Sequence, residues 1–114
     1  MINPSIGNLF ADSEPPATGE RFETLLKQRN LVVERILSSG RQEAVDYVQE
    51  QDEWVMLVRG EARLNLAGEV IDLVAGDYLF IPARVTHRVE SASEGALWLA
   101  VHLHPQVLNV SLPV

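Results

Sequence analysis

The sequence predicts an all-β domain, a sandwich or barrel of short antiparallel strands. Three observations carry that expectation. Short apolar runs recur from Phe22 to His104, glycine-containing or polar turns separate them at close and regular spacing, and no long stretch keeps a helical period.

Taken in order, residues 1–20 hold Pro4, Gly7, Pro15, Pro16 and Gly19, with Ile2, Ile6, Leu9 and Phe10 scattered among them. No period survives such a composition, so an irregular arm is expected, its apolar side chains docking on the body or on a neighbouring subunit; for Met1 to Ser5 a loose tail fits equally well. Phe22 to Gln28 is open between strand and short helix, because Phe22, Leu25 and Leu26 also suit the helical period. Leu31 to Leu37 is rich in branched residues and stops at Ser38-Ser39-Gly40, which predicts a strand. Ala44 to Gln49 reads as a weaker strand ahead of the polar turn Glu50-Gln51-Asp52.

Trp54 to Val58 is a buried-type strand that runs into Arg59-Gly60-Glu61, and Ala62 to Leu66 returns with small or apolar residues at alternate positions. Ala67-Gly68-Glu69 turns into Val70 to Val74, and Ala75-Gly76-Asp77 turns into Tyr78 to Ile81, a run that Pro82 ends. A second β-rich run, Val85 to Val89, carries His87 and breaks at Ser91 to Gly95. In the last long run, Ala96 to His104, Leu97, Leu99, Val101 and Leu103 share one face while Trp98, Ala100, His102 and His104 share the other. Residues 105–114 form a tail or one more strand, since Leu108, Val110, Leu112 and Val114 alternate; an uncovered apolar edge of that kind invites a second copy, and a homodimer is expected. The organisation expected is therefore an arm (1–20), a β domain (21–104) and a tail (105–114).

The 114 residues suit one domain with a real core, and 46% apolar with 22% charged residues is the balance of an ordinary globular protein. A net charge of −7, with no Lys/Arg cluster, repels phosphate backbones and anionic lipid, so neither nucleic acid nor membrane is an expected partner. The absence of cysteine removes disulfides, thiolate nucleophiles and cysteine-type zinc sites. No basic stretch followed by an apolar one opens the sequence and no apolar run reaches membrane-spanning length, so a cytoplasmic domain is expected.

Gly76, Pro82 and His87 stand at the spacing of the second motif of the cupin superfamily: Gly, five residues, Pro, one residue, Gly, two residues, His, three residues, Asn. Arg84 occupies the place of the motif's second glycine and Ser91 that of its asparagine. Glu53 and Gly60 fit the end of the first motif, and the interval from Gly60 to Gly76 is that of a compact member. Over residues 21–104 the chain thus resembles a small single-domain cupin, and the resemblance implies a jelly-roll barrel, or double-stranded β-helix. The His-X-His pair of the first motif falls on Tyr47 and Gln49 with the shorter spacing, or on Asp46 and Val48 with the longer, so the family's three-histidine, one-glutamate site does not carry over whole.

What carries over is Glu53 and His87 as metal ligands. His102 joins them from strand alternation, because in the implied topology its strand lies beside the one that Glu53 opens. Two imidazoles and a carboxylate suit Fe(II), Mn(II), Ni(II) or Zn(II) and leave positions open. Tyr47 and Gln49 are further weak oxygen donors, Tyr47 or Glu53 would carry a proton in catalysis, and Arg84 at the pocket mouth would hold a carboxylate. Each has a plain alternative: a hydrogen-bonded core imidazole for His87, solvated strand-end or loop charges for Glu53 and Arg84. The resemblance implies either a metal-dependent pocket for a small polar molecule, with dioxygenase or sugar isomerase and epimerase chemistry, or a metal-free binding or sensory module acting as a homodimer. In the metal-free case buried Glu53 needs an imidazolium or a hydrogen-bond donor, because a bare buried carboxylate is unfavourable by several kcal/mol.

Overall fold

The computed structural model describes residues 6–106, and among them every regular element is a strand. The strands are β1 (Glu20–Gln28), β2 (Leu31–Ser38), β3 (Asp52–Arg59), β4 (Glu61–Leu66), β5 (Glu69–Val74), β6 (Tyr78–Ile81), β7 (His87–Ala92) and β8 (Leu97–Leu103). All pairings are antiparallel. One sheet runs β1-β2-β8-β3-β6 and the other β5-β4-β7, the two halves of a jelly roll.

Phe22 to Gln28 is resolved in favour of strand. β1 pairs along β2 from Glu20↔Ser38 to Gln28↔Leu31 with a register shift between Thr24 and Leu26, and that bulge produces the helix-like spacing of its apolar residues. Ala44 to Gln49, expected as a strand, is not one. Its one β-bridge joins Tyr47 to His87, where Tyr47 N donates to His87 O (2.8 Å) and His87 N donates to Tyr47 O (3.0 Å), and Arg84 N donates to Gln49 O (2.7 Å) beside it. Before His87 the chain turns through the corner after Pro82, so the pairing does not extend into a regular strand. β7 runs further than expected, to Ala92.

The turn glycines do what their positions demand. Gly60 and Gly76 have φ of 95° and 96°, values that a side chain strongly disfavours. Arg84, in the place of a motif glycine, also has positive φ (64°), the backbone form for which glycine is the default.

Val55, Leu57, Leu64, Leu73, Ile81 and Trp98 are central to the packing between the sheets. Toward the other end of β2, β3 and β8 the inward positions turn polar. Residues 6–19 contain no strand and cross the opposite face, held less by apolar docking than by arginines. Arg35 donates to Leu9 O (2.9 Å) and Ala11 O and pairs with Glu23 (2.7 Å), and Arg59 donates to Ser13 O (2.9 Å), while Ile6 and Phe10 stay exposed. Met1 to Ser5 and the alternating tail from Val107 to Val114 lie outside the described residues.

Candidate functional site

Between the sheets, beyond the apolar core, lies a cavity of about 270 Å³, just below the ~300–1,000 Å³ usual for ligand sites. Alternation explains its contents. On β2, Glu34 and Ile36 point inward; on β3, Glu53 and Val55; on β8, Trp98 and His102. Since β8 runs between β2 and β3, His102 stands directly opposite Glu53 and diagonal to Glu34.

The imidazole is held from both sides. His102 Nε2 lies 2.8 Å from Glu34 Oε1, and Nδ1 lies 3.3 Å from Gln51 Nε2 and 3.9 Å from Glu53 Oε1. Burial pulls its proton affinity down, but the hydrogen bond to Glu34 and the charges of Glu53 and Glu34 outweigh it and hold the ring above the ordinary histidine range. The Gln51 amide serves either protonation state by turning its nitrogen or its oxygen to the ring. Glu53 is buried and accepts a hydrogen bond from Gln49 Nε2 (2.9 Å). Glu20, deeper on β1, accepts from Ser38 Oγ (2.8 Å); burial raises its proton affinity, the Ser38 bond opposes that, and the charge of Glu34 adds to it.

His87 sits on the opposite wall, only 8% exposed. Its Nδ1 lies 3.1 Å from Val85 O, an acceptor, so Nδ1 carries a proton; Nε2, an acceptor when the ring is neutral, has no partner among the described residues. Tyr47 stacks beside it at 6.0 Å between ring centroids, at the mouth.

Comparison with known proteins identifies the frame. Residues 34–105 match the cupin domain. The chain belongs to the cupin family. A protein of Ralstonia eutropha JMP134, provisionally named a mannose-6-phosphate isomerase, is 40% identical to this cupin, with a TM-score of 0.80 over 89% of this chain and 99% of that one. An RmlC-like cupin of Shewanella frigidimarina NCIMB 400 (22% identical, TM-score 0.70, covering 79% and 80% of the two chains) shares the fold. So does a cupin superfamily protein of Desulfitobacterium hafniense DCB-2 (21%, 0.71, 80% and 83%). No curated protein matches the sequence.

In this cupin Glu53, His87, His102, Tyr47 and Gln49 all line the one cavity, but the three expected ligands are not gathered into a coordination sphere. Among the described residues no group of three or more His, Cys, Asp and Glu side chains is arranged to hold a metal ion. The cause is visible in the donors: the Nε2 of His102 is turned to Glu34, its Nδ1 to Gln51, and Glu53 is engaged by Gln49. The residues present do not fit a resident metal in this arrangement. Arg84 is not part of the cavity wall; its exposed guanidinium pairs with Glu50 at 3.3 Å on the loop surface, an ion pair of small energetic worth.

Two residues that hold the site together were not singled out from the sequence, Glu34 and Gln51. Glu34 did leave a signal, standing as a carboxylate between Val32 and Ile36 on the inward side of its strand. Gln51 sits in a polar turn and left none.

Proposed function

We propose that this cupin binds a small polar organic molecule in its barrel cavity without a resident metal, using the Glu34–His102–Glu53 array and His87 Nε2 as the recognition groups. One observation carries the reading: both nitrogens of His102 are committed to protein partners, so its imidazole serves as a charge held between carboxylates instead of as a donor to a metal. This arrangement also meets the need of buried Glu53 for a compensating partner.

A second reading keeps a divalent metal, and the observation that favours it is that Glu53, His87 and His102 line the same cavity. Isomerase or epimerase chemistry belongs with either reading; the name of the Ralstonia relative supports the isomerase reaction type and not its phosphate substrate, and in the metal-free form His87 Nε2 would take a proton on one wall and the His102–Glu34 pair would hold one on the other. The separating experiment is metal analysis of untagged protein, with melting temperature followed on adding Fe(II), Mn(II), Ni(II) or Zn(II). The expected outcome is metal at background level and no thermal shift. Stoichiometric metal that disappears in both His87→Ala and His102→Ala would overturn it, since a ligand of the native state must stabilise by mass action.

A homodimer is part of the proposal. The face of the five-stranded sheet turned away from the cavity carries Trp54 and Met56 of β3 opposite Val101 and Leu99 of β8, with exposed Tyr78, Phe80 and Leu103 around them. A contiguous apolar face of this kind pairs naturally with its own copy about a two-fold axis.

A further inference from the structure

We propose that the cavity selects a small organic cation, an amine carrying its proton, and rejects anions such as sugar phosphates and carboxylates. The inference rests on the reading of the cavity as the binding site and adds the chemical class of the ligand.

Three lines of observation converge. The first is charge: Glu20, Glu34 and Glu53 line the cavity, and no lysine or arginine does. His102, when protonated, balances one of the three. An entering anion would meet the remaining negative charge in a poorly solvated space, whereas an ammonium would neutralise it.

The second is the direction of the hydrogen bonds. Several of the donors on the wall are already engaged. Gln49 Nε2 is given to Glu53, His102 Nε2 faces Glu34, Ser38 Oγ is given to Glu20, and Trp98 Nε1 lies 3.3 Å from Ser38 Oγ. The acceptors are not exhausted. His87 Nε2, on a side chain nine-tenths buried, has no partner among the described residues, and neither does the second oxygen of Glu53. A phosphate or carboxylate, rich in acceptors, finds few donors there. An ammonium, with its N–H groups, finds acceptors on two walls.

The third is the lining between the polar groups. Phe22, Tyr47 and Trp98 present aromatic rings to the space, and a cation is attracted by the face of a ring where an anion is repelled. The volume limits the ligand to a few carbons or a single sugar ring.

The test uses matched probes, with chelator present so that no stray metal contributes: n-butylamine against butyrate, and glucosamine against glucose 6-phosphate and mannose 6-phosphate, followed by ligand-observed NMR and thermal shift. Amines bind and anions do not, and Glu34→Gln and Glu53→Gln each weaken amine binding by about tenfold, the loss of one charge-assisted contact. Glu69→Gln, on the far sheet, leaves binding unchanged, and melting curves confirm that each variant is folded. Binding of either sugar phosphate or of butyrate in preference to the amines overturns the inference, as does no amine binding at about 10 mM. Val89→Phe, which fills the cavity, separates the two levels. If an anion binds and this variant abolishes it, the cavity is the site and only the ligand class is wrong. If amine binding survives Val89→Phe and both glutamine variants, the cavity itself is not the site.

Discussion

At the scale of single residues the site turns on His102, whose ring is charged or neutral according to the two carboxylates beside it. Its raised proton affinity in the folded state has a defined sign in stability. The folded protein holds the proton more tightly than the unfolded chain, with its ordinary value of 6.5. The stabilisation is therefore complete below that pH and is lost as pH rises through the higher folded value. Glu20, raised from 4.5, acts in the same direction in its own, more acid window. Melting temperature, followed at constant ionic strength from pH 6 upward, is expected to fall, and His102→Gln should flatten the decline. An unchanged profile in the variant would remove His102 as its source. Arg84 teaches the opposite lesson. Its place in the motif pointed to the pocket mouth, but the motif position records a backbone requirement, positive φ, and the side chain itself goes to solvent.

Among the elements, the turn joining β3 to β4 shows how a glycine fixes a sheet-to-sheet connection. A Cβ on Gly60 would lie 2.6 Å from Ser93 Oγ and 3.0 Å from the backbone of Ala96, besides suffering φ of 95°. Ser93 cannot yield freely, because its Oγ accepts from Glu61 N at 3.0 Å and its N donates to Glu61 O at 2.9 Å. Gly68, in the β4–β5 turn, has φ of 88°, and a methyl group added there would meet nothing within 4 Å. Gly60→Ala is expected to destabilise by about 3 kcal/mol and Gly68→Ala by about 1 kcal/mol, backbone strain alone. Urea midpoints measure the difference, and equal losses would show that crowding at Ser93 and Ala96 contributes nothing. The β1 and 44–49 segments, by contrast, were ambiguous or misleading in sequence. A bulge gave β1 a helix-like spacing, and the run around Tyr47 has strand composition but forms a β-bridge at one residue only.

For the whole molecule, the apolar outer face of the five-stranded sheet is the feature that a monomer leaves unexplained. Sedimentation at micromolar concentration is expected to give a dimer, and Phe80→Glu, which sets a charge on the β6 side of the face beside Trp54, is expected to give a monomer with the fold intact. A wild-type monomer under those conditions would remove the proposal. The candidate site is on the opposite face of the same sheet, so the variant should leave ligand binding in place.

The all-β class, most strands, the turn glycines and the frame of Gly76, Pro82 and His87 were legible in the sequence because each is written in a local period or a fixed short spacing. His102 was legible in part, since alternation settled which face it shares with Trp98 and Ala100. Its partners were not. Glu34 is 68 residues away from it, and the two meet only because β8 inserts between β2 and β3. That insertion is decided by how the sheets close and pack, and with it the choice between an imidazole free to bind a metal and one held between two carboxylates.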